Sequence, residues 1–288
     1  SFADLLLVAV RANLRFALEA RLVISTSITM LAVVGGVAMA TSSVIDVAIA
    51  FAATRLGYLC LTAWVTRGWI GNPIERRLGD IVKTAKTSAS YALDNLLTSL
   101  LSQIDVLVFG LMLPIREMGI YQAGARLVQV IVPVAVALSA VYVPTLSKSF
   151  ADRSYGEFQK SAKLLFIEFL LLGTFAGAAF ITMGPYITKF IYGPSYASLD
   201  ALWPGFGAYA FIRLLAAAFS VQLTATGNIL PRILAQVVTI MLTISASGLI
   251  IERFGLASTS GITAACSLPL LVIFAVSARR NRGRMNHQ

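Results

Sequence analysis

Apolar residues in this 288-residue chain gather into eight long runs, at about 20–41, 46–66, 91–113, 119–146, 162–183, 199–225, 232–251 and 257–278. Each run is about 20 residues or more, enough for a helix to cross a hydrocarbon core of about 30 Å. Backbone amides in lipid need internal partners, so only helices or closed barrels cross it, and runs this uniformly apolar predict helices. The expected fold class is all-α: a polytopic helical membrane protein with about eight transmembrane helices.

Polar residues inside the runs recur at helical spacing. In the third, Tyr91, Asp94 or Asn95, Thr98, Ser102 and Asp105 fall three or four apart and predict one continuous face. The fourth carries Gln122, Arg126 and Gln129 before Pro133. The sixth aligns Tyr209, Arg213, Ser220 and Thr224, and the second Arg55, Thr62 and Thr66. Such stripes face a watery cavity or a partner helix.

Composition agrees. Only 12% of residues are charged and the mean hydropathy is +0.81, whereas soluble domains carry about a quarter charged residues. The net charge of +10 could suggest nucleic acid, but its distribution points to membrane topology. Alternate connections hold 17 cations (Arg11, Arg15, Arg21; Arg67, Arg76, Arg77, Lys83, Lys86; Lys148, Arg153, Lys160, Lys163; Arg232; Arg279, Arg280, Arg282, Arg284). The intervening connections hold three, Arg116, Lys189 and Arg253. The positive-inside rule then puts the first set, and the C-terminus, in the cytoplasm.

A pattern echo suggests the organisation. The segment starting at Arg11 and the one starting at Thr226 share a basic entry, a span, a short outer turn and a second span. On that basis residues 1–66 end a truncated N-terminal lobe, 67–90 form a cytoplasmic connection, 91–278 make a complete six-helix C-terminal lobe, and 279–288 a basic tail. The connection reads as a hinge at Gly71–Pro73 and then an interfacial segment, or equally as a solvated linker. With Ser1 in place of Met and no signal-peptide pattern, the chain is expected to be a fragment lacking earlier helices. Paired repeats around a midplane site are a common transporter plan.

Enzyme chemistry finds little support. The one histidine, His287, adjoins the C-terminus; no P-loop or HExxH occurs; and the outer connections are too short for a catalytic domain. No cofactor or metal is expected. Cys60 and Cys266 each lie within an apolar run, which suggests neither disulfide nor zinc.

Ionisable groups within spans cost about 2.5–3.5 kcal/mol each and by default mark function. They are Arg55, Asp94, Asp105, Arg126, Glu168 and Arg213. Asp105 and Arg126 flank a connection centred near Ile115 and Arg116 at equal steps, so an ion pair between them is expected. That pair could be purely structural or part of a cavity wall. Arg55 and Arg213 lack an acid at their depth and are expected to face an aqueous cavity, where a guanidinium suits a diphosphate. Glu168, near Lys160 and Lys163, reads as an interfacial ion pair. Gly173 and Gly177 form a GxxxG suited to close helix packing. The aromatics Tyr186, Phe190, Tyr192, Tyr196, Trp203 and Tyr209 read mainly as an interfacial belt, with sugar stacking the alternative.

The segment "SQIDVLVFGLMLPIREMGIYQAGARL" resembles the seventh-to-eighth helix hairpin of polysaccharide flippases. "KFIYGPSYASLDALWPGF" resembles their loop between helices nine and ten, and "LTATGNILPR" the turn after the tenth. That family belongs to the multidrug/oligosaccharidyl-lipid/polysaccharide exporter superfamily. The resemblance implies two six-helix lobes, a central cavity, and no bond chemistry. It implies flipping of an undecaprenyl-diphosphate-linked oligosaccharide, for O-antigen or exopolysaccharide synthesis, across a bacterial inner membrane by alternating access. Implied partners are that lipid-linked substrate, membrane lipids, and a glycan polymerase and glycosyltransferases of the same pathway; nucleic acid is not among them. Candidate cavity residues are Arg55, Arg126, Arg213, Asp105, Asp94, Asn95 and Gln122. The alternative is a cation-coupled multidrug exporter of the same superfamily, in which Asp94 and Asp105 bind the coupling ion.

Overall fold

A helix satisfies its own amides, and in a computed structural model of the chain every regular element among the described residues, 16–41, 43–67 and 78–285, is helical. The chain divides into two units, 1–82 and 83–288. In the first, α1 (Phe16–Ala40) and α2 (Val44–Thr66) pack together, with Leu22 and Tyr58 buried between them. Ser43 caps α2 by accepting from the Asp46 amide at 3.4 Å. Leu31, Met39 and Ile45 stay exposed, as suits helices bathed in lipid.

The next helix, α3 (Leu78–Leu101), starts at the end of the first unit and lies mostly in the second, which continues with α4 (Ile104–Met112), α5 (Ile115–Val128), α6 (Ile131–Ala151) and α7 (Tyr155–Ile187). A π turn (Thr188–Tyr192) and a 3₁₀ segment (Pro194–Leu202) lead to α8 (Trp203–Ala225) and α9 (Leu230–Phe254). After a 3₁₀ turn at Gly255–Ser258 come α10 (Thr259–Cys266) and α11 (Leu268–Met285). Among the described residues, seven helical stretches are long and apolar enough to cross a membrane. The last, Leu230–Arg282, has 53 residues and would be about 80 Å long if straight. It folds back at Gly255, whose φ of 56° suits glycine. Asn228 therefore meets Asn281 at 3.2 Å, and the stretch supplies two passes, matching the eight expected spans.

The central helix is α8, which packs against α6, α7, α10 and α11 and buries most of its residues. The GxxxG works as expected: a Cβ on Gly177 would stand 3.0 Å from the Gly207 carbonyl of α8. The aromatic belt is only partly one. Tyr186 and Phe190 are exposed, but Trp203 is fully buried, its Nε1 donating to Thr188 Oγ1 at 2.9 Å.

Two expected spans are interrupted. The third breaks at Ser102 and Gln103, where the Gln103 amide tightens onto Leu100 O at 3.0 Å. The hydroxyls of Thr98, Ser99 and Ser102 all bond carbonyls of the preceding turn, an arrangement that bends helices. The fourth breaks at Gln129 and Val130 because Pro133 has no amide to offer the Gln129 carbonyl. In the 67–90 connection, residues 68–77 lie outside the described residues, and 78–90 are the first turns of α3 rather than a separate segment. The basic tail is helical to Met285. Arg11, Arg15, Arg76, Arg77 and His287 lie outside the described residues.

Candidate functional site

Arg213 projects from the middle of α8 and lines three adjoining cavities. The smallest, about 10 Å³, also touches Asp105, Tyr209, Thr243, Thr263 and Ser267, and has room for about one water. The second, about 120 Å³, reaches Thr98, Ser220, Arg232 and Gln236. The third, about 380 Å³, is bounded by Ser102, Gln103, Gln129 and Pro133. Arg213 is half-buried and lies 5.9 Å above the Tyr209 ring, one turn away on the same helix. Among the described residues it forms no ion pair. A guanidinium set against a ring face and outside any direct ion pair keeps hydrogen-bond donors for a ligand.

The expected pair between Asp105 and Arg126 does not form. Asp105 Oδ2 accepts from the Tyr121 hydroxyl at 2.5 Å, and its Oδ1 accepts from the Val106 amide at 2.9 Å. The reason is register. The turn between α4 and α5 is Leu113–Pro114, not Ile115–Arg116. Asp105 precedes it by eight or nine residues, and the same step beyond it reaches Tyr121 and Gln122. Arg126 lies a turn further on, exposed, donating to Gln129 Oε1 at 3.3 Å. Asp105 instead shares the smallest cavity with Arg213, for which sequence spacing offers no acid.

Asp94 is buried and bonded. Arg232 Nη2 of α9 stands 2.8 Å from Asp94 Oδ2, and Gln236 Nε2 donates to Asp94 Oδ1 at 3.2 Å and to Thr98 Oγ1 at 2.9 Å. Arg232 Nη1 also donates to Thr224 Oγ1. Sequence reasoning gives Arg232 only a topological role. The missed signal is depth: the third and seventh runs both start at the same membrane face, within a few residues of Asp94 and Arg232.

The other candidates are less engaged. Asn95 is exposed and Gln122 half-buried, and neither borders the three cavities. In the first unit Arg55 is exposed and stands 5.3 Å over the Phe51 ring, while Thr62 and Thr66 are buried and bond their own helix. Glu168 is not part of a lysine pair: its Oε1 accepts from the Tyr142 hydroxyl at 2.7 Å, and Lys160 and Lys163 are exposed.

A family model described as "Polysaccharide biosynthesis protein" matches residues 14–150, just under half of the chain. No curated protein matches the sequence. Two solved structures share the fold. One, the crystal structure of a MATE point mutant, has a TM-score of 0.60 at 11% identity and covers 90% of this chain and 62% of its own. The other, an outward-facing multidrug-resistance MATE family transporter of the MOP superfamily, has a TM-score of 0.58 at 10% identity, covering 90% and 63%. The chain thus spans less than two thirds of each.

Proposed function

From a multi-pass chain that matches the polysaccharide-biosynthesis family over residues 14–150 and carries the exporter fold, we propose that this protein flips a lipid-linked oligosaccharide. The substrate would be an undecaprenyl-diphosphate glycan, moved from the inner to the outer leaflet of the bacterial cytoplasmic membrane by alternating access. The C-terminus would lie in the cytoplasm, and the partners would be enzymes that build and polymerise the glycan.

The observation that carries this reading is Arg213, which forms no ion pair among the described residues and opens onto three cavities. A diphosphate needs donors that stay charged at every working pH, and a guanidinium provides paired ones. The head group would lie against α8 while the lipid tail stays in the bilayer. Arg213→Ala should reduce surface glycan display about tenfold or more at matched protein levels, the scale of losing one charge-assisted contact. Undiminished display would sink the assignment. A cation-coupled multidrug exporter is the second reading, favoured by the MATE likeness of the fold. It calls for carboxylates free to bind a cation, whereas Asp94 is held by Arg232 and Asp105 by Tyr121.

A further inference from the structure

The 120 Å³ cavity has a second guanidinium in its lining. Arg232 lines it together with Gln236, and in both side chains a buried polar atom has no partner among the described residues, Arg232 Nε and Gln236 Oε1. The same Arg232 holds Asp94 of α3. Over the side chains described in α3, residues 89–101, Leu93, Leu96 and Leu100 are exposed, while Leu97 is buried and packs with Leu101 against Ile233 and Ile240 of α9. Its polar ties to α9 are the contacts of Asp94 and Thr98 with Arg232 and Gln236. One arginine therefore both faces a cavity of phosphate size and ties α3 to α9.

We propose that Arg232 is a second anion-binding residue, that Asp94 is its resident counter-ion, and that a phosphate group entering the cavity takes Arg232 from Asp94 and loosens α3. Carboxylate and phosphate compete for the same planar fork, and the more highly charged diphosphate also engages Arg213, which Asp94 does not. A ligand shifts a conformation only through contacts that differ between the two states. Here the difference is one ion pair exchanged for another. The idea rests on the reading of the substrate as a diphosphate, but the site can be tested without any glycan.

Inorganic pyrophosphate is the probe, titrated calorimetrically into the purified chain in detergent micelles. Asp94→Asn removes the competitor and should bind pyrophosphate about tenfold tighter than wild type, the scale of one charge-assisted bond. Arg232→Gln should bind about tenfold weaker, and the double variant should show no gain. A structural role for Asp94 would not produce tighter binding. Absence of that gain, or of wild-type binding, overturns the proposal.

A second measurement does not depend on how well the variants fold. In a Cys60→Ser background, nitroxides at the exposed Leu96 and Leu234 report the spacing of α3 and α9. Pyrophosphate should lengthen or broaden that distance, and an unchanged distribution overturns the proposal. If Arg213→Ala abolishes display while Asp94→Asn gains nothing, the exchange fails and the flippase reading stands. If pyrophosphate behaves as described while Arg213→Ala leaves display intact, the flippase reading fails and the anion seat stands.

Discussion

Arg232→Ala is expected to destabilise the chain by about 3–5 kcal/mol, the cost of stranding one member of a buried ion pair. Asp94 would keep only the Gln236 amide at 3.2 Å, and its carboxylate side chain is just 7% exposed. The measurement is the unfolding midpoint of the purified chain in micelles. A second variant separates charge from packing. Changing both residues to leucine removes both charges and should recover most of the loss, since an apolar pair of similar volume is often neutral or better. If Arg232→Ala melts like wild type, Asp94 is solvated and the clasp contributes little.

Gly184→Ala should be the most damaging of the conservative glycine changes in α7. A Cβ at Gly184 would fall on the first ring of the Trp203 indole. That indole has nowhere to go: it is fully buried, hydrogen-bonded to Thr188, stacked on Phe180 at 5.9 Å, and edge-on to Phe206. Overpacking a filled core costs about 1–3 kcal/mol and sometimes more. Gly110→Ala is the control, because its Cβ would meet nothing within 4 Å. In a helix interior that change should stabilise by about 0.5–1 kcal/mol. Equal melting of the two variants would mean that Trp203 can shift aside.

The spans were legible in the sequence because burial in lipid leaves a continuous apolar record that no local interaction overrides. The GxxxG of α7 was legible for a related reason: Gly173 and Gly177 leave room for a neighbouring backbone whichever helix arrives. The breaks were harder. Pro133 stands inside a run read as one span, and the break at Ser102–Gln103 depends on three hydroxyls cooperating over a turn, each of them common alone in membrane helices. The site was half-legible. Arg213 stood out as a charge without a partner. The error over Asp105 was two residues in the placing of a turn, enough to exchange Arg126 for Tyr121. Trp203 looked interfacial because its sequence neighbours are, yet Thr188 gives its indole nitrogen a partner inside the core. Arg232 was hidden because the one cation of its connection reads as a topology signal, and its pairing with Asp94 spans 138 residues.

At Gly177 and Gly207 the backbones of α7 and α8 lie against each other with no side chain between them. Side chains can change rotamer and let two helices slide, whereas two backbones in contact cannot. The two helices therefore behave as a single girder, and Arg213 is riveted to it. A ligand that engages Arg213 cannot draw it inward by tilting α8 alone, because α7 must follow. On the other side of the cavities α3 meets α9 through side chains alone, the polar contacts of Asp94 and Thr98 with Arg232 and Gln236 and the packing of Leu97 and Leu101 on Ile233 and Ile240, so the two walls are joined to the unit in different ways.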